Sequence, residues 1–122
     1  MNYKELEQVI QAKGANVAPR ITPADIEANI TSEFYFTAAD GVEGASGHRP
    51  SSIRAGTALS LLTYCVLVLR NGFTVTGESA CASPENFDAE LGRKIARRNA
   101  VAKIEPLMGY ELRSRLAEKE AQ

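Results

Sequence analysis

An aliphatic, β-branched run from Leu61 to Arg70 meets Asn71-Gly72 and continues into the alternating stretch Phe73 to Ala80. Asn-Gly is the favoured two-residue hairpin turn, because both central positions take positive φ. An antiparallel hairpin is therefore predicted, and the remaining elements must pack around it. A two-residue turn pairs Arg70 with Phe73, Val68 with Val75, Val66 with Gly77 and Tyr64 with Ser79. One face then carries Tyr64, Val66, Val68, Phe73 and Val75; the other carries Cys65, Leu67, Leu69, Thr74, Thr76 and Glu78. The first strand is apolar on both faces, and two strands alone are barely stable in water. One face should receive helices. The other needs a further strand, a further helix or a second subunit, so a homo-oligomer, most simply a dimer, is expected.

Helix signals flank the hairpin. Asn2 with Glu5 forms a capping box, Leu6, Val9 and Ile10 make a narrow apolar stripe, and Gly14 stops the segment. Thr22-Pro23-Ala24-Asp25 starts a second helix, with Ile26, Ile30 and Phe34 at four-residue steps as its buried face. Phe34-Tyr35-Phe36 either ends that helix or begins an extended piece. Asp40 to Gly56, rich in Gly and Ser and holding His48 and Pro50, is expected to be a loop. Ser83-Pro84 opens a third helix, lined by Phe87, Leu91 and Ile95 beside a small-residue row of Gly92, Ala96 and Ala100. That row would let another backbone approach closely. Pro106 requires a break near Glu105, after which Leu107, Leu112 and Leu116 mark a last helix. The expected fold is α+β: an antiparallel β-hairpin packed with two N-terminal helices and a broken C-terminal helical segment. Residues 1–122 form one domain, with 1–20 as an N-terminal helix and linker.

Charge and cysteine usage narrow the function classes. Fourteen basic against fifteen acidic residues leave a net charge of −1, without the basic excess of a duplex-DNA binder. No apolar run reaches the roughly 20 residues that span a bilayer, and the first residues do not read as an export leader. Cys65 and Cys81 fall on opposite faces of the expected hairpin and read as reduced thiols of a cytosolic protein. One histidine and two cysteines at no recognised spacing predict no metal site, and no cofactor loop is present.

The stretch Asn71-Gly72-Phe73-Thr74-Val75-Thr76-Gly77-Glu78-Ser79-Ala80-Cys81, then Asn86-Phe87-Asp88, Gly92, Ala96, Gly109-Tyr110 and Leu112 resembles one signature. It is that of the tailed-phage accessory family founded on gene product forty-nine of one podophage and gene sixty-six of another. The resemblance spans residues 21–117, although the family often has tryptophan where this chain has Glu105. It implies a phage or prophage origin, action in the bacterial host cytoplasm and expression with accessory genes. It implies no catalytic residue.

Three constellations invite a chemical reading. Gly77-Glu78-Ser79-Ala80-Cys81 lacks the closing glycine of a nucleophile elbow, and the only histidine sits in the expected loop. A strand end with Gly77 at a close backbone approach explains it better. Among Glu78, Asp88 and Glu90, Glu90 suits an i,i+4 pair with Lys94, and Asp88 suits a helix N-terminus. Arg93, Lys94, Arg97 and Arg98 form two adjacent basic rows, either a solvated face or a grip for phosphates or an acidic partner. Tyr35, Phe36 and Tyr64 are more simply core than a base-stacking platform. The protein is expected to act by binding, not as an enzyme. Its partner would be a host or defence protein contacting Arg93, Lys94, Arg97 and Arg98, with Glu78 and Ser79 nearby. The alternative is an oligomer that sequesters a phosphorylated metabolite or signalling nucleotide.

Overall fold

The computed structural model describes residues 2–15, 17–48 and 57–122. Its elements are α1 (Tyr3–Ala12), α2 (Pro23–Ala28), β1 (Ile30–Thr37), α3 (Ala38–Ser46), β2 (Leu62–Leu69), β3 (Thr74–Ala80), α4 (Ala89–Val101) and α5 (Ile104–Glu120). Short 3₁₀ turns at Ala58–Leu61 and Pro84–Asn86 precede β2 and α4. The strands form one antiparallel sheet in the order β1-β2-β3. The architecture is α+β, as expected, with one more strand than the hairpin alone.

Burial along β2 alternates strictly. Thr63, Cys65, Leu67 and Leu69 are buried, whereas Leu62, Tyr64, Val66 and Val68 are only half-covered. The buried face meets α4, whose small residues Gly92, Ala96 and Ala100 lie inward with Val101. The close backbone approach expected of that row is made to β3. A Cβ on Gly77 would fall inside contact distance of the Ala96 carbonyl oxygen and the Ala100 nitrogen. Ile26 and Ile104 complete the core from α2 and from the start of α5.

The hairpin register differs from the two-residue expectation by one position. Leu69 N–H donates to the Phe73 carbonyl at 2.8 Å, so three residues, Arg70, Asn71 and Gly72, make the turn. Gly72 sits at φ +89°, the left-handed position that closes such a loop. Asn71 Oδ1 accepts from Phe73 N–H at 2.9 Å and so stabilises the longer turn. Leu67 therefore pairs with Val75, Cys65 with Gly77 and Tyr64 with Glu78. Because strand side chains alternate, the slip moves Val75 and Gly77 to the helix side and Thr74, Thr76 and Glu78 to the outer side. The opposite-face argument for the cysteines falls with the register. Both thiols are free, and Cys81, past the end of β3, donates to the Ser83 carbonyl at 3.1 Å.

Three further expectations are corrected. The helix begun at Thr22 ends at Ala28, and Ile30 and Phe34 belong to β1. Arg70 ends that helix: its backbone N–H donates to Asn29 O and Oδ1, and its guanidinium donates to Ala28 O at 2.8 Å. The stretch from Asp40 is not wholly loop. Thr37 and Asp40 form a capping box that opens α3, while residues 49–56 lie outside the described residues. Ser83-Pro84 begins only a 3₁₀ turn, and α4 starts after its own cap, Asp88 Oδ1 to Leu91 N–H at 3.0 Å. The expected C-terminal break is present, at Ala102 and Lys103, so Pro106 sits in the first turn of α5, where its missing N–H costs nothing.

The N-terminal helix is fastened by charge. Glu7 accepts two hydrogen bonds from the Arg20 guanidinium, which hold its carboxyl at about 2 instead of 4.5. A depressed carboxyl stabilises the fold above its unfolded value and ceases to do so as pH falls through the folded one. Acidification from pH 4.5 toward 2 should therefore loosen α1. The Glu7 carboxyl carbon, followed by NMR, should titrate near 2 and shift toward the ordinary range in Arg20→Gln. A titration near 4.5 in the unmodified chain would contradict this.

Candidate functional site

Among the described residues, two places gather basic groups. The first is α4, where Arg93, Lys94 and Arg98 are exposed. Lys94 is engaged by Glu90, one turn away, at 3.4 Å between two exposed side chains, a pair of small energetic consequence. Arg93 has no carboxylate partner among the described residues and borders a small crevice with Phe36, Thr37 and Phe87. Arg97 is different. Its guanidinium forks onto both Glu27 oxygens, at 3.0 and 2.8 Å, while Nε donates to Glu33 Oε2 at 2.8 Å.

That knot joins α4 to α2 and to β1. Tyr35 Oη also donates to Glu33 Oε2, at 2.6 Å. The Arg97 hydrogen bonds hold the Glu27 carboxyl below its usual range. Those from Tyr35 and then Arg97 do the same for Glu33. Burial first, and the Glu33 contact second, push the Tyr35 hydroxyl upward. Arg97 thus spends its donors inside the molecule, and of the four bases only Arg93, Lys94 and Arg98 face outward.

Glu78 and Ser79 point to opposite faces of β3, as neighbours on a strand do. Glu78 lies on the outer face and Ser79, half-buried, on the α4 side. Ser79 borders a crevice of about 150 Å³ with Cys81, Asn86 and Leu91. The Glu78 carbonyl accepts from Asn99 Nδ2 at 2.8 Å, which is a structural bond between β3 and α4.

The second place was not anticipated from the sequence. A cleft of about 470 Å³ opens between α2, the hairpin turn and α5. Arg20, Arg70 and Arg115 line it with Asp25 and Glu111, and Ile21, Met108 and Leu112 supply apolar wall. Arg70 and Arg115 keep donors to spare, since Arg70 uses Nη2 on Ala28 O and Arg115 contacts Glu111 at 3.2 Å in an exposed i,i+4 pair, whereas Arg20 already gives both terminal nitrogens to Glu7. The three are remote in sequence, from a linker, a turn and a helix, so no run or spacing announces them.

Residues 21–116, most of the chain and nearly all of this framework, match the model of the phage protein (N4 Gp49/phage Sf6 gene 66) family. The chain belongs to this family. The match takes in the hairpin, the Arg97 knot and most of the cleft, and excludes α1 with its Glu7 fastening. No curated protein and no solved structure matches the chain. Among the described residues no helix is long and apolar enough to cross a membrane. Membership places the chain among phage proteins.

Proposed function

We propose that this phage accessory protein works by binding, and that its occupant is a phosphate-bearing small molecule of nucleotide size in the arginine-lined cleft. The observation that carries this reading is the convergence of Arg20, Arg70 and Arg115 on one cavity of about 470 Å³. Small-ligand sites commonly fall between about 300 and 1,000 Å³, with apolar walls and a few convergent polar groups. Guanidinium forks match phosphate oxygens two at a time. Asp25 and Glu111 would accept from sugar hydroxyls or a base amine, and Ile21, Met108 and Leu112 would cover a base or sugar edge. Withdrawal of a signalling nucleotide would modulate the host without contact to a host protein.

The test is calorimetric titration of the full chain with nucleoside monophosphates, cyclic nucleotides and pyrophosphate as separate probes. At least one should bind at micromolar Kd or tighter, and higher salt should weaken it. Arg115→Glu with Arg70→Gln should weaken that probe about a hundredfold, because attraction becomes repulsion at one position and is lost at the other. Failure of every probe to bind would remove this reading.

A second reading keeps the host or defence protein as partner, through Arg93, Lys94 and Arg98. Its support is that neither Arg93 nor Arg98 has a carboxylate partner among the described residues. Arg93→Glu with Arg98→Glu should then abolish capture of a host protein that the cleft variant still retains. The opposite pattern would favour the cleft.

A further inference from the structure

Arg20 belongs to two places at once. It lines the cleft with Arg70 and Arg115, and it borders a crevice of about 30 Å³ with Leu6, Glu7 and Ile10 of α1. Its terminal nitrogens both donate to Glu7, Nη1 to Oε1 at 2.9 Å and Nη2 to Oε2. A phosphate held end-on by Arg20 needs the same two nitrogens, because the fork takes two anionic oxygens at a time. Gln11 Nε2 also donates to Glu7 Oε2, at 3.0 Å, and steadies the carboxylate in that place. The pair is half-buried.

Little else fastens α1. Among the described side chains, the hydrogen bonds from α1 to later parts of the chain are those of Glu7 with Arg20. Leu6 is 43% exposed and Val9 37%, so the apolar stripe is only partly covered. A helix of ten residues is marginal by itself in water. Glu7 and Arg20 both precede the residues that match the family, 21–116, whereas Arg70 and Arg115 fall within them. The pair thus stands apart from the framework that forms the rest of the cleft.

We propose that α1 is an autoinhibitory strap on the arginine-lined cleft, with the Glu7 carboxylate as internal competitor of a ligand phosphate for Arg20. The inference rests on the reading of the cleft as a phosphate site. With α1 docked, an entering phosphate finds free donors on Arg70 and Arg115 and an Arg20 whose fork is taken. To gain Arg20 it must displace a carboxylate, and two anions beside one guanidinium repel each other. Coupling of this kind is reciprocal: a contact that weakens the ligand is itself weakened by the ligand. Occupancy of the cleft therefore releases α1. Were Glu7 instead to hold Arg20 in place for the ligand, both effects would reverse sign.

Calorimetric titration of the full chain and of Glu7→Gln, with nucleoside monophosphates, cyclic nucleotides and pyrophosphate as separate probes, tests the strap. Glu7→Gln keeps the shape and removes the charge, and should strengthen binding of a cleft probe about tenfold. Glu5→Gln is the control, since it removes a charge from the same helix, keeps the capping box and leaves Arg20 paired. Its affinity should stay within about twofold of the unmodified chain. With Arg20→Gln already present, Glu7→Gln should change nothing further. Hydrogen exchange read by mass spectrometry should show residues 3–12 of the unmodified chain exchanging faster at saturating probe. Binding that Glu7→Gln leaves unchanged or weakens, equal strengthening by Glu5→Gln, or α1 amides that slow on binding overturns the strap and leaves the cleft reading standing. Absence of binding by every probe to both the unmodified chain and Glu7→Gln removes the two together.

Discussion

Gly77→Ala should cost the fold about 3 kcal/mol or more, a large effect for one added methyl group. The Cβ would collide with the Ala96 carbonyl oxygen and the Ala100 nitrogen and lie 2.9 Å from the Asn99 carbonyl carbon, all of them helix backbone. No rotamer relieves that contact. Either β3 lifts from α4 or α4 moves, and either motion opens the core beneath Leu67 and Cys65. The Asn99 bond to the Glu78 carbonyl resists the separation. Urea unfolding of Gly77→Ala beside the unmodified chain decides the matter: a loss below about 1 kcal/mol would mean that the helix rides more loosely on the strand than its geometry states.

Ile104→Ala should be the next most severe change, at about 3 kcal/mol, within the usual range for removing a fully buried aliphatic side chain. Its consequence reaches the proposed site. Ile104 is the only residue of α5 that is fully buried, and along the rest of the helix Leu107 and Tyr110 are exposed. Ile104, beside the bend at Ala102 and Lys103, thus anchors, with Met108 packed against the core, a helix that contributes Met108, Glu111, Leu112 and Arg115 to the cleft. The variant should lose stability and ligand affinity together, whereas Arg115→Glu should lose affinity alone. Unchanged affinity in a folded Ile104→Ala variant would show that α5 holds its place by other means.

How much of this was legible in the sequence depended on the range of each signal. Local signals served well. The capping pairs Asn2 with Glu5 and Thr22 with Asp25 both formed, and Pro106 did impose a break. The pair Thr37 with Asp40 carried the same signal and would have revealed α3, but the glycines of the following stretch masked it. Ile26, Ile30 and Phe34 fit a helical step and an alternating strand equally well. What decided between them was Arg70 closing the helix at Ala28 from 42 residues away, which no local pattern contains. The hairpin was found and its register missed, because Asn71-Gly72 serves both two- and three-residue turns and only the pairing partner of Leu69 separates them. The basic rows on α4 were visible as a run, but the carboxylates that claim Arg97 come from α2 and β1. The cleft was invisible for a like reason: its arginines meet only after the chain has folded.

The order of the strands has a consequence for how the molecule comes together. The β2–β3 turn closes a loop of three residues, whereas residues 38–61 intervene between β1 and β2. Loop-closure entropy makes the second union costlier by about 2 kcal/mol. The pairing of β1 with β2 is also irregular between Ile30 and Ser32. The hairpin with α4 and the segment of α2 with β1 are thus joined late, across the longer loop. Arg97 grips both elements of that segment from α4, through Glu27 and Glu33. The residue that looked like part of a binding surface is, in these terms, the clasp between the chain's early and late halves.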